Sequence, residues 1–267
     1  MSKDYVHTLE VKNLIARYGE RQVLSDVSMT VERGEVHVIL GGSGCGKSTL
    51  LKHVIGLMKP AGGSVKLLGV DLVEADEPQR NAVLARIGML FQGGALLNSL
   101  TIRENVALPI KERTGLPDDV IDEMVRMKLG LVSMLHAIDL TPPELSGGMK
   151  KRAALARAMA TDPEILFADE PSAGLDPITA AELDALLLNL KSRFGMSLVV
   201  VTHELASIEA IADRVTMLDK GFVIASGPLQ EVKRKDHPMV RAFFDRASEA
   251  ESRGTSVLDA LSKEGRT

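Results

Sequence analysis

Gly41-Gly42-Ser43-Gly44-Cys45-Gly46-Lys47-Ser48-Thr49 lies between an apolar run, Val36 to Leu40, and an apolar, helix-compatible segment, Leu50 to Leu57. The order predicts strand, glycine loop, helix. Gly41, four residues, then Gly46, Lys47 and Ser48 is the spacing of a phosphate-binding loop. Its glycines let backbone N–H groups turn inward, and the helix that follows adds the positive end of its dipole. The expected ligand is a nucleoside polyphosphate. In such loops the lysine, here Lys47, reaches the β- and γ-phosphates, and the Ser48 hydroxyl helps hold the Mg2+ that bridges their oxygens. Stripped of the flanking strand and helix, the same residues would be only a Gly-rich turn before a helix-starting serine.

The chain has 267 residues, 45% apolar and 25% charged, enough for a large α/β domain or for a core with one inserted subdomain. No eighteen-residue apolar run occurs, and Met1 to Asp4 carry no apolar signal core, so a chain that is neither exported nor membrane-spanning is expected. Cys45 is the single cysteine, which excludes an intrachain disulfide and suits a reducing cytoplasm. A net charge of −4, 3% aromatics and no Trp give no basis for a nucleic-acid partner.

Leu9 to Leu14, Gln22 to Val31, Val36 to Leu40 and Val65 to Leu68 read as short strands of a mostly antiparallel section. From about Gln92 to Thr161 the apolar residues recur at helical spacing, as in Val120, Ile121, Met124, Val125, Met127 and Leu129, which predicts a helical insertion. Ile165 to Ala168 and Leu198 to Thr202 are short apolar runs ending in polar groups, as in a parallel sheet covered on both faces. Between them a helix is predicted from Ile178 to about Phe194, with Asp176 as N-cap and Pro177 at its first position. Val215 to Ser226 reads as a hairpin about Lys220-Gly221. The expected organisation is α/β: a P-loop core with an antiparallel β subdomain over 1–91 and 162–235, a helical subdomain over 92–161, and a C-terminal helix and tail over 236–267.

Residues just past a strand's carboxyl end face the ligand crevice of an open α/β sheet. Asp169 is therefore placed to take the Mg2+, and Glu170 to orient or deprotonate an attacking water. Leu145-Ser146-Gly147-Gly148-Met149, with Lys150-Lys151-Arg152 and the alanine-rich Ala153 to Ala160 behind it, is the most diagnostic stretch. Ser146 reads as a helix cap that, with the Gly147 and Gly148 backbone, offers donors to a γ-phosphate. Three cations in a first helical turn oppose the dipole, which favours an anion nearby; a solvated basic turn is the alternative.

With these motifs in this order, the chain resembles the ATP-binding cassette of an ABC transporter from about Leu9 to Ser226. The resemblance implies ATP and Mg2+ as ligands, with the whole run Gly41 to Thr49 around the phosphates. It implies that Tyr18 stacks on adenine, that Gln92 ties the metal and attacking water to a membrane partner, and that His203 contacts the γ-phosphate. Ser172 to Asp176 would face the opposite subunit, although capping explains Asp176 equally well. It implies a working unit of two cassettes head to tail, Lys47 and Glu170 from one chain meeting Ser146 of the other, coupled to an integral membrane permease.

The family's usual glutamine after the two signature glycines is Met149 here. With Phe91 to Thr101 and Glu104-Asn105-Val106, it makes the chain similar to the ATPases of Mla/Mce-type phospholipid transporters, the MlaF family. That branch implies a peripheral protein at the cytoplasmic face of the inner membrane. It also implies an Mce-domain lipid-binding protein and, in some complexes, a STAS-domain protein. Rival readings are a cassette for a polar solute or lipoprotein, a soluble non-transport ABC ATPase, and a non-hydrolysing interaction module. Cys45, near a helix N-terminus, is expected to have a lowered thiol pKa, with fitting a tight turn as its simpler role.

Overall fold

Alternate residues of the central strands belong to different cores, and that alternation sets the layering. In β3 (Val36–Gly41) and β8 (Ser197–Val201), Val38, Leu40, Leu198 and Val200 face one apolar cluster, while Ile39, Val199 and Val201 face the other. A strand buried on both faces reads as a continuous apolar run, as these do. The computed structural model describes residues 6–245.

The sheet holding these strands has six members in the order β10-β9-β3-β8-β7-β6, with β6 (Ile87–Leu90), β7 (Ile165–Asp169), β8, β3 and β9 (Arg214–Asp219) parallel. β10 (Phe222–Pro228) returns antiparallel beside β9. A second, antiparallel sheet of four strands runs β2-β1-β4-β5, built from β1 (His7–Tyr18), β2 (Arg21–Glu32), β4 (Gly62–Leu67) and β5 (Val70–Asp71). Its apolar face and α1 (Lys47–Val54) share a cluster with Ile39, Phe167, Val199 and Val201.

Two sequence expectations are corrected. Val36 to Leu40 belongs to the parallel sheet, because β3 pairs with β8 and β9 and not with β1 or β2. The first two strands are also long, 12 residues each, continuing through register shifts where Asn13 (φ +48°) and Asp26 (φ +55°) turn left-handed and bond each other, Asn13 Nδ2 to Asp26 Oδ1 at 2.6 Å. α2 (Glu77–Leu84) and β6 were not anticipated.

Between β6 and β7 the chain leaves for a helical segment: α3 (Ile102–Arg113), α4 (Asp118–Leu131) and α5 (Gly147–Ala158). α3 starts with a reciprocal cap, Glu104 N donating to Thr101 Oγ1 and Thr101 N to Glu104 Oε2. α4 buries Ile121, Val125, Lys128 and Leu129, one stripe at helical spacing. The fully buried Lys128 reaches Asp162, just before β7, and so pins α4 to the sheet. α6 (Pro177–Phe194) begins as the sequence predicts, Asp176 Oδ1 accepting from Ile178 N and Thr179 N. α7 (Leu205–Ile211) and α8 (Leu229–Lys233) complete the cover, and residues 238–245 are helical with Val240 and Phe244 buried. The tail stripe of Val257, Leu258 and Leu261 lies outside the described residues.

Candidate nucleotide site

Four adjacent strands, β3, β8, β7 and β6, deliver their carboxyl ends to one rim of the sheet. Gly41, His203, Asp169-Glu170 and Gln92 lie at or just past those ends in turn. The rim is where an open α/β sheet places its ligand crevice.

The glycine loop takes its shape from close packing. Gly41 has φ +147°, and a Cβ there would lie 2.2 Å from Leu218 O and 2.8 Å from Cys45 Sγ; Gly46 has φ +112° and would strike Leu24 Cδ2 at 2.5 Å. Neither position tolerates a side chain. The turn of the β9–β10 hairpin sits against the loop, with Gly221 N donating to Cys45 O at 3.0 Å and Ser25 N to Gly221 O at 2.9 Å. Gly42, Ser43, Gly44 and Ser48 are exposed, and Thr49 is half-buried. Lys47 Nζ folds over the loop onto Gly41 O (2.8 Å) and Gly42 O (3.1 Å). Cys45 corrects the expectation of a lowered thiol pKa: it is 5% exposed, and burial pushes its pKa up, outweighing the opposing effect of Lys47.

Glu170 is held in an unusual way. Its backbone is left-handed at φ +45°, its N–H donates to Val201 O at 2.8 Å, and its side chain is buried. His203 Nδ1 bonds Oε1 at 2.8 Å, whereas the buried Oε2 has no hydrogen-bond partner among the described residues. Burial, reinforced by Glu170, raises the Asp169 pKa; Lys47, Lys151 and Lys52 pull the other way. Two carboxylates this close and this poorly solvated fit a cation or a proton donor beside them. The Gln92 side chain is exposed and carries no hydrogen bond among the described residues; only its carbonyl is engaged.

Other site candidates stand apart within one chain. Ser146 caps α5, its Oγ accepting from Met149 N at 3.3 Å, and Gly148 lies so close to α6 that a Cβ would meet Thr179 Cγ2 at 2.8 Å. No hydrogen bond joins Ser146, Gly147 or Gly148 to residues 41–49 among the described residues. Asp176 spends its carboxylate on the α6 cap, Oδ2 accepting from Thr179 Oγ1; that bond and the Thr179 backbone hold its pKa low. Tyr18 ends β1, 45% exposed as a residue, with its hydroxyl donating to Met58 Sδ at 3.2 Å.

Two of the three cations of α5 are engaged within the chain. Lys151 is buried and its ammonium donates to the carbonyls of Gln92 and Glu170, while Arg152 pairs with Glu182 of α6 at 2.9 Å. Further along α5, Arg157 donates to Gly94 O and Ala95 O at 2.9 and 2.7 Å. Sequence reasoning did not single out Lys151 or Arg157 as anchors; the signal was their place in a run whose neighbours, Ala153 to Ala156, are all buried. Met149 packs partly buried against the helical core, and Asn105, fully buried, bonds Leu97 O, Leu100 O and Thr101 O, which fixes the stretch after Gln92 with Leu97 outward.

A family model described as ABC transporter matches residues 24–173. The chain is 37% identical over 238 residues to the probable ribonucleotide transport ATP-binding protein mkl of Mycobacterium tuberculosis, covering 89% of this chain and 66% of that one, so it spans just under two thirds of that relative. It is 37% identical over 245 residues to the intermembrane phospholipid transport system ATP-binding protein MlaF of Escherichia coli, covering 92% of this chain and 91% of the relative. The dimeric structure of the ATP-binding cassette MJ0796 bound to ADP and Pi superposes with a TM-score of 0.76 at 30% identity, over 83% of this chain and 98% of that one. A glycine loop braced by a hairpin, an acidic pair at the next strand end but one and a serine-capped signature helix thus occur in a chain that belongs, by sequence and by fold, to the ABC transporter family.

Proposed function

We infer that the chain is the ATP-binding and ATP-hydrolysing subunit of an ABC transporter that moves phospholipid between membranes of the cell envelope through a separate permease. The observation that carries the hydrolytic part is Glu170, at the rim that holds the glycine loop, with one oxygen on His203 and the other buried and unpartnered among the described residues. Gly41 to Thr49 would hold the phosphates with Lys47, and Tyr18 would take the adenine. Ser48, Asp169 and Gln92 are the residues to hold Mg2+, and the strained solvation of Asp169 fits a cation there. The chemistry such an ion would supply there is neutralisation of phosphate charge during phosphoryl transfer. Glu170 would orient the attacking water and accept its proton, while His203 fixes the carboxylate and reaches toward the γ-phosphate.

The outward-facing Ser146-Gly147-Gly148 suits a second copy of the chain better than its own loop, so the working unit is a head-to-tail pair with ATP between the copies. ATP then closes the pair because it binds the closed state more tightly, and hydrolysis reopens it. Residues 92–161 would move as the signature-bearing subdomain. The exposed Phe91 and Leu97, either side of Gln92, suit contact with the permease. No helix of the described residues is long and apolar enough to cross a membrane, in keeping with a peripheral subunit at the cytoplasmic face of the inner membrane. An Mce-domain protein and a STAS-domain protein are the further partners that the phospholipid reading brings.

The phospholipid assignment rests on the relation to MlaF across almost its whole length, together with Met149 and the Asn105-held stretch after Gln92. The test is a gentle detergent pull-down of the chain from its native membranes, with mass spectrometry of proteins and retained lipid. A permease, an Mce-domain protein and phospholipid are the expected catch. A solute permease, or no membrane protein, would overturn the phospholipid reading and leave the ATPase chemistry to stand on its own assay.

A further inference from the structure

We propose that Lys151 is a positioning residue for hydrolysis, holding the backbone of Glu170 in its left-handed conformation and tying it, through the same ammonium, to the segment that starts at Gln92. The inference rests on Glu170 as the hydrolytic base.

A non-glycine residue with positive φ persists only where its surroundings over-determine it. For Glu170 those surroundings are few. Its N–H is held by Val201 O (2.8 Å), and its carbonyl accepts from Ala173 N (3.2 Å) and from Lys151 Nζ (3.1 Å). The Ala173 bond is local and long; among the described residues, Lys151 is the one donor to this carbonyl that comes from another element. The second bond of Lys151 runs to Gln92 O, 59 residues away in sequence. One ammonium thus joins the ends of two neighbouring strands, β6 and β7, at the residues that follow them.

The rest of α5 reinforces the grip. Arg157, six positions on, takes Gly94 O and Ala95 O, so two cations of one helix hold three carbonyls of residues 92–95. A rigid helix gripping that loop carries any shift of the loop to Lys151, and Lys151 bears on Glu170. Burying an ammonium is costly, and burial does lower the Lys151 pKa; the carboxylates of Glu170, Asp169 and Glu204 offset part of that cost. A lysine kept only to cap solvent-facing carbonyls would not be 7% exposed.

The experiment uses the purified full chain with MgATP. Lys151→Met keeps the apolar stem and removes both bonds; the loss of two charge-assisted bonds should lower kcat about tenfold or more. KM for ATP and the affinity for a fluorescent ATP analogue should stay within about twofold, since neither bond lies on the glycine loop. Lys151→Arg, which keeps charge and donors, should restore most of kcat. By hydrogen exchange, Lys151→Met should deprotect residues 92–97 and 170–173 together and leave 41–54 unchanged. If Lys151→Met does not fold, Lys151→Gln, with a shorter amide donor, should show the same split of kcat from KM. Wild-type kcat in Lys151→Met or Lys151→Gln, equal loss of kcat and affinity with a lowered thermal midpoint, or deprotection of only one of the two segments would overturn the proposal. Glu170→Gln is run alongside: if it remains active, the parent reading of Glu170 fails, whereas an inactive Glu170→Gln beside a fully active Lys151→Met removes this inference alone.

Discussion

His203 Nδ1 and Glu170 Oε1 meet at 2.8 Å, and the other oxygen of the same carboxylate is buried with no hydrogen-bond partner among the described residues. One oxygen is thereby fixed and the second keeps its capacity to accept a hydrogen bond. Glu170→Gln should lower ATP turnover by at least about 100-fold, the scale of a lost general base, with ATP still bound. His203→Ala frees the carboxylate to rotate and should also lower kcat. Steady-state hydrolysis paired with equilibrium nucleotide binding checks both; normal turnover by Glu170→Gln removes it from the base role.

The signature serine gives a test of the two-chain site. Ser146 is exposed and caps α5 within its own chain. Ser146→Arg should leave monomeric ATP binding intact while blocking the ATP-dependent dimer, read by size-exclusion chromatography in the Glu170→Gln background. A dimer that forms as readily as before argues against contribution of the signature in trans.

Glycines of one loop should differ in their tolerance. Gly41→Ala puts a methyl group 2.2 Å from the Leu218 carbonyl and should destabilise the fold by about 2 kcal/mol or more. Gly42→Ala meets nothing within 4 Å and should keep stability near wild type. Urea denaturation of the two variants makes the comparison, and equal midpoints would contradict the packing described for Gly41.

Burial, and not the helix dipole, governs Cys45. Its thiol is pushed up in pKa and shielded, so iodoacetamide at neutral pH should modify the native chain far more slowly than the urea-unfolded chain. Intact-mass measurement over time gives the two rates. Equal rates would mean that the loop opens freely.

Arg103 joins helices by charge: it pairs with Asp122 of α4 and with Asp139 at 3.0 Å, and Arg126 also bonds Asp122. The bonds from Arg126 and Arg103 hold the Asp122 carboxyl below its ordinary pKa. A carboxylate lowered in the folded state contributes stability above the ordinary carboxylate range and loses it as pH falls through the folded value. The thermal midpoint of Asp122→Asn should therefore lie below wild type at pH 7, and the gap should close under acid conditions, below about pH 4. A gap independent of pH would place the effect outside the ion pairs.

Much of this was legible because it was local. The glycine loop, the Asp169-Glu170 pair and the Asp176-Pro177 helix start each occupy a few consecutive residues, and each has a physical reason that spacing alone expresses. Ile87 to Leu90 was missed because four residues with a glycine among them show no period to detect. Val36 to Leu40 was grouped with the wrong sheet because pairing partners at Leu198 and Val215 are not inscribed in the strand itself. Lys151 passed as one of three similar cations, since what separates it from Arg152 is the whereabouts of Gln92 and Glu170 in space.

The glycine loop itself ends on the opposite lesson. Gly41 abuts Leu218, Gly46 abuts Leu24, and Gly221 bonds Cys45 while receiving the bond from Ser25. The nine residues easiest to recognise are moulded by a strand before them and a hairpin about 175 positions after them, so as a motif they are portable on paper but not in matter. Grafted onto another strand and helix without that hairpin, the same letters would lack the packing that gives the loop its shape.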